Sequence, residues 1–211
     1  MAIAQIQRDA TYTMRRKRIG LFGGSFDPLH FGHLNMALSL SEAHALDSIL
    51  FCPVYISPFK TTHPPVASSE HRMHMVHLGI QNIEQFSALD WEVTQKGPAY
   101  TIDTIKKLKI ESEAELFLIL GVDQLADFHR WKEVEELCML AQPLIGSRDH
   151  KNGTLDHLPH SLQKLIDKGR TVIPMMDISS TVIRQRLSRK QFCGHLVPQS
   201  ILEYIQHNHL Y

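Results

Sequence analysis

What most limits the fold of this chain is an alternation. Short, mostly apolar runs alternate with stretches of helical spacing. Ile19–Phe22, Ile49–Val54, Phe86–Val93, Leu116–Leu120, Leu140–Ile145 and Thr171–Pro174 read as strands. Gly32–Ala45, Ser69–Gln81, Tyr100–Leu108, Trp131–Leu137, Leu158–Lys168, Thr181–Leu187 and Pro198–Gln206 read as helices. Tyr55–Ser69, with Pro58, Pro64 and Pro65, reads as a loop placed to act as a lid. Strands this short and this apolar are buried on both faces. Their alternation with helices predicts an α/β fold: a doubly wound, mostly parallel, Rossmann-like sheet in three α/β/α layers. In such sheets ligands sit beyond the carboxyl ends of the strands, near the point where strand order reverses. The residues just after each strand are therefore where chemistry is sought.

At 211 residues the chain fits one domain. Residues 1–17 read as a basic, frayed extension and 18–211 as the domain itself. Lys+Arg and Asp+Glu balance at 22 each, but residues 1–18 hold five basic side chains against Asp9 alone. The rest carries 17 basic against 21 acidic groups, a net of −4. A slightly acidic body argues against a broad nucleic-acid surface while leaving room for a local phosphate site. The longest uncharged stretch, Pro28–Ser41, is far too short to span a membrane. No apolar segment follows the basic residues, so no secretory signal is read there. Cys52, Cys138 and Cys193 are widely spaced and read as reduced, buried thiols of a cytoplasmic protein.

The first strand runs into Gly23-Gly24-Ser25-Phe26-Asp27-Pro28-Leu29-His30-Phe31-Gly32-His33. Paired glycines let backbone amides approach a bulky anion. His30 and His33 are three residues apart at a helix start, so both rings can face one side of the first turn. Free amides and the positive end of the helix dipole favour phosphate there. Neutral imidazoles add donors without fixed charge. The dinucleotide fingerprint, the P-loop and the esterase elbow are all absent. Two histidines could bind zinc, but no third ligand is evident. His71, His74 and His77 lie on one helix, yet three-residue steps drift by roughly 60° each, so they do not converge on a metal. Spacing alone leaves open a plain helix cap with Asp27 closing a turn.

G-G-S-F-D-P-x-H-x-G-H resembles the signature of the H-x-G-H nucleotidyltransferases, and within them the bacterial nicotinate-mononucleotide adenylyltransferases. The resemblance runs from about Ile19 to Tyr211. It includes Ile178-Ser179-Ser180-Thr181-Val182-Ile183-Arg184, which matches the family's I-S-[SA]-T-x-I-R. It extends to Tyr100-Thr101-Ile102-Asp103-Thr104, to Gly121-Val122-Asp123, and to Trp131 with Lys132. Arg72 with Met75, and Leu210-Tyr211, fit as well. Two stretches depart: Ser57-Pro58-Phe59-Lys60 keeps the lysine but lacks the usual histidine, and Arg148-Asp149-His150 lacks the usual Pro-Gly.

The resemblance implies adenylyl transfer from ATP to nicotinate mononucleotide, giving deamido-NAD and pyrophosphate. His30, His33 and Arg184 would be catalytic. Gly23, Gly24, Ser25, Phe26, Gly121, Asp123, Ile178, Ser179, Ser180 and Thr181 would bind ATP. Asp27, Lys60, Thr101, Trp131 and Lys132 would serve the second substrate, Trp131 stacking on the pyridine ring. Mg²⁺ would accompany ATP, held by phosphate oxygens and water. The expected partners are these small molecules, without nucleic acid or membrane, in a monomer or homodimer. Alternatives are a sister adenylyl- or cytidylyltransferase with another phosphate acceptor, such as phosphopantetheine. From other classes come a non-catalytic nucleotide sensor and a metal-dependent hydrolase, the last lacking a ligand triad.

Overall fold

The computed structural model describes residues 15–58, 64–95, 97–147, 155, 158–174 and 176–211. Six strands form one sheet: β1 (Arg18–Gly24), β2 (Ser48–Pro53), β3 (Phe86–Ala88), β4 (Glu115–Gly121), β5 (Ala141–Ser147) and β6 (Arg170–Val172). Their order is β3-β2-β1-β4-β5-β6, and every pairing is parallel. Strand order reverses between β1 and β4, where Phe22 lies opposite Ile119. That reversal is the crevice such sheets use for ligands.

Eight α-helices flank the sheet among the described residues: α1 (Phe31–Ala43), α2 (Ser69–Ile80), α3 (Trp91–Thr94), α4 (Thr101–Glu111), α5 (Val134–Leu140), α6 (His160–Lys168), α7 (Ser180–Ser188) and α8 (Gln199–His207). Neighbouring strand residues point to opposite faces. Phe22 and Ile119 therefore pack with α1, α2, α7 and α8, through Leu40, Met75, Ile183 and Ile201. Leu21 and Leu118 pack on the other face with α4, α5 and α6, through Ile105, Leu137 and Ile166. The result is the expected three layers. Each such fully buried side chain contributes about 1.5–3 kcal/mol.

Two expectations need correction. The run Phe86–Val93 is not one strand: β3 stops at Ala88, and Trp91–Thr94 turns into the short α3. As an edge strand, β3 pairs only with β2. The helical turn puts Trp91 under the Lys107 ammonium, 3.7 Å from its ring centroid. It also buries Glu92 against α4, where the Thr104 hydroxyl donates to it at 2.7 Å. Second, residues 122–130 form a 3-10 helix (Val122–Arg130), and α5 starts at Val134 rather than Trp131. Leu125 and Phe128, three apart, are the buried residues of that segment, which suits three residues per turn.

The three cysteines are free and buried. Residues 1–14 of the basic extension lie outside the described residues. Arg15 pairs with Asp47 at 2.6 Å.

Candidate active site

β1 delivers its glycines to the carboxyl edge of the sheet, and the chain turns there through Phe26, which has φ 48° and a buried ring. The Phe26 ring lies edge-on to both Phe22 and His33. The Asp27–Pro28 peptide is cis. The chain then enters α1 through His30 as N-cap.

His30 and His33 cap each other. The His33 amide donates to His30 Nδ1 at 3.4 Å, and the His30 amide donates to His33 Nδ1 at 3.3 Å. The rings stack with centroids 3.7 Å apart. Gly32 permits this, because a Cβ there would meet the His30 ring at 3.1 Å. Each Nδ1 accepts a backbone proton, so each ring carries its own proton on Nε2. Burial lowers the His30 pKa to about 4 and holds His33 well below its usual range, where the neighbouring His30 further disfavours its charge. The free protein therefore presents two neutral N–H donors at neutral pH.

The second motif reaches the same place. The Ser180 hydroxyl donates to the Pro28 carbonyl at 3.0 Å, across 152 residues of sequence. Arg184 Nη1 donates to the Asp27 carbonyl at 2.7 Å, and Nη2 to the Thr181 hydroxyl at 3.3 Å. Ile178 stands beside Gly32 at the start of α1. No side chain caps α7, whose N-cap is Ser179. Two helix N-termini, two imidazoles and one guanidinium thus converge on one loop. Such a set of donors can gather phosphate charge.

The sequence carries the matching family model, cytidylyltransferase-like, over residues 21–186. The chain belongs to this family. Curated relatives group it with the nicotinate-nucleotide adenylyltransferases. A protein of Methylacidiphilum infernorum named "Probable nicotinate-nucleotide adenylyltransferase" is 36% identical over 200 residues, covering 92% of each chain. One of the same name from Leifsonia xyli is 36% identical over 197 residues, covering 93% of this chain and 94% of its own. Among solved structures, Plasmodium falciparum nicotinic acid mononucleotide adenylyltransferase complexed with NaAD superposes with a TM-score of 0.72 at 22% identity. It covers 93% of this chain and 98% of its own, and it shows the shared fold.

On the other side of the crevice, β4 ends at Gly121, whose amide donates to Gln124 Oε1 at 2.9 Å. The Asp123 carboxylate lies over Gly121 where a Cβ would stand. Thr101 opens α4. Trp131 ends the 3-10 helix, half-buried against Phe128 at 5.2 Å between centroids. Lys132 joins these pieces: its ammonium donates to both Asp103 oxygens at 3.0 Å and lies 4.9 Å from the Tyr100 ring centroid. Lys60 and the Arg148-Asp149-His150 stretch lie outside the described residues.

Asp27 is placed differently from a residue that faces ligand. It is 3% exposed, and both carboxylate oxygens are engaged by protein donors. The amides of Val66 and Ala67 donate at 2.8 and 3.1 Å, and the Tyr211 hydroxyl at 2.6 Å. Beside it Arg72, fully buried, donates to the carbonyls of Ser25, Val54, Tyr55 and Ala67 at 2.7–3.2 Å. The bases of the loop between β2 and α2 are therefore tied to the phosphate loop. The structural work of Arg72 and Tyr211 was not read from sequence. A lone arginine on a helix face shared with Met75 and Val76 was the available signal.

Among the described residues, no three His, Cys, Asp or Glu side chains cluster as metal ligands. The donor set is N–H, guanidinium and hydroxyl, which suits phosphate oxygens rather than a hard cation. No helix among the described residues is long and apolar enough to cross a membrane.

Proposed function

We propose that this protein transfers the adenylyl group of ATP to nicotinate mononucleotide, releasing pyrophosphate and forming deamido-NAD. The observation that carries the reading is the docking of Ser180 and Arg184 onto the Asp27-Pro28 segment beside the stacked His30–His33 pair. It assembles, from two distant motifs, the donors that a triphosphate requires. The names of the relatives and the ligand of the similar structure supply the substrate class.

The acceptor's 5′-phosphate attacks the α-phosphorus in line, its P–O bond forming as the bond to pyrophosphate breaks. That nucleophile is already an oxyanion near neutral pH, since the second phosphate pKa is about 6. No protein base or nucleophile is needed. Burial pushes the Cys52 thiol far up and that of Cys138 up to about 12, so neither offers a thiolate. Catalysis is positioning plus charge stabilisation. His30 and His33 donate to phosphate oxygens and follow charge onto the leaving group. Arg184 and the start of α7, with Ser179, Ser180 and Thr181, hold the outer phosphates. Gly23, Gly24, Ser25, Gly121 and Asp123 line the nucleotide's path, with Phe26 and Ile178 packed behind it. Thr101, Trp131 and Lys132 receive the pyridine nucleotide, with Lys60 as a further contact. Mg²⁺ bound to the phosphates would neutralise part of their charge, held by phosphate oxygens and water. Buried reduced thiols fit a reducing cytoplasm.

The test follows the α-phosphorus. With ATP labelled there and nicotinate mononucleotide present, label enters a dinucleotide. His33→Ala slows this by about 10²–10³ with the circular dichroism spectrum retained. Near-wild-type turnover by His33→Ala would sink the site, and labelled AMP without dinucleotide would replace transfer by hydrolysis.

A further inference from the structure

Asp27 raises a problem for the site. A buried carboxylate sits one residue from the segment where a triphosphate's charges would gather, and its negative charge works against them. Two backbone amides quench part of it. The buried Arg72 charge offsets more of it, and Arg184 forms a long ion pair with it, Nη1 3.6 Å from Oδ2, while the same nitrogen donates to the Asp27 carbonyl. The remaining strong donor is Tyr211, at 2.6 Å from Oδ1. Tyr211 is half-buried and packed against the first core, and burial with the Asp27 contact pushes its pKa up, so its proton stays in place.

We propose that Tyr211 is a positioning residue for the triphosphate site: by engaging Asp27 Oδ1 with a neutral donor, it keeps the Arg184–Asp27 ion pair long, so that the guanidinium can still turn toward phosphate. The inference rests on the reading that Arg184 meets the outer phosphates. A charged donor in Tyr211's place would add a cation, but one spent on Asp27. A hydroxyl saturates the carboxylate and alters no charge balance. Without it, Asp27 has one unsatisfied oxygen site. A mobile donor beside it is the Arg184 guanidinium, a quarter exposed and 3.6 Å from the other carboxylate oxygen, which can close to a direct bond with the carboxylate. Arg184 would then turn inward, away from an anion. His30 and His33 share no hydrogen bond with Asp27 or Tyr211, so their donors would stay in place.

The experiment is calorimetric binding of inorganic tripolyphosphate, which needs no turnover and no acceptor. Tyr211→Phe is expected to weaken binding about tenfold, the scale of a hydrogen bond to a charged group. In steady state it raises the KM for ATP by a similar factor while kcat changes less than threefold. The decisive readout is a cycle with Arg184→Gln. If Tyr211 acts through Arg184, adding Tyr211→Phe to Arg184→Gln costs no further affinity. Full additivity, or unchanged affinity in Tyr211→Phe, overturns the inference while leaving the site reading intact. Failure of wild type to bind tripolyphosphate overturns both. Should Tyr211→Phe fold poorly, Tyr211→Gln, which keeps a neutral N–H donor, is expected to retain more affinity than Tyr211→Leu. Equal losses in those two would also overturn it.

Discussion

The histidine pair ties acid sensitivity to the site. A buried neutral imidazole resists protonation in the folded state, whereas the unfolded chain protonates it near pH 6.5. Between those values the unfolded state binds more protons, so stability rises with pH. The stabilisation is fully present above pH 6.5 and is lost as pH falls toward about 4, the folded value for His30. The loss attributable to His30 is about 3 kcal/mol across that window. Thermal midpoints measured from pH 7 to pH 4.5 should fall steeply in wild type and less steeply in His30→Asn. Parallel curves would show that the ring titrates normally. At this scale the sequence disclosed much. The three-residue spacing of His30 and His33 predicted that both rings share a face, and they stack. It did not disclose that Asp27 is consumed by Val66, Ala67 and Tyr211, because a carboxylate's partners 39 to 184 residues away leave no local trace.

At the scale of elements, the clearest dependence is on α2. Its buried Arg72 bridges the two bases of the loop that follows β2, through the carbonyls of Val54, Tyr55 and Ala67, and ties them to that of Ser25. Replacing it removes several charge-assisted bonds and strands buried acceptors. Arg72→Met should cost about 3–5 kcal/mol in urea unfolding at neutral pH. Arg72→Lys should recover little, since one ammonium cannot span four carbonyls in a fixed fork. A loss under 1 kcal/mol in Arg72→Met would mean the loop holds itself. Strong apolar runs such as Leu116–Leu120 were legible as strands because burial on both faces leaves no polar residue in them. Phe86–Val93 is a mixed case, with Ser87, Asp90 and Glu92 among its apolar residues. Its apolar content serves β3 at one end and the contact of Trp91 with α4 at the other. The 3-10 helix escaped notice because a three-residue period, carried by Leu125 and Phe128 alone, is too brief to stand out from loop.

At the scale of the molecule, strand order brings the parts together. Reversal between β1 and β4 opens the crevice, and the return of the chain through β6 sets α7 against the Asp27-Pro28 turn. Each motif by itself reads as an ordinary cap. The bond from Ser180 to Pro28 makes them one site, and no periodicity in the sequence predicts that bond. The resemblance implied only that both motifs serve the same phosphates, without that bond. The reaction proposed for this site joins ATP to a pyridine nucleotide. The most direct measurement is pyrophosphate release with ATP and Mg²⁺, comparing nicotinate mononucleotide, nicotinamide mononucleotide and phosphopantetheine as acceptors. Release is expected to be fastest with nicotinate mononucleotide. Release with phosphopantetheine alone would contradict the roles of Thr101 and Trp131, and release with none of the three would contradict the reaction itself.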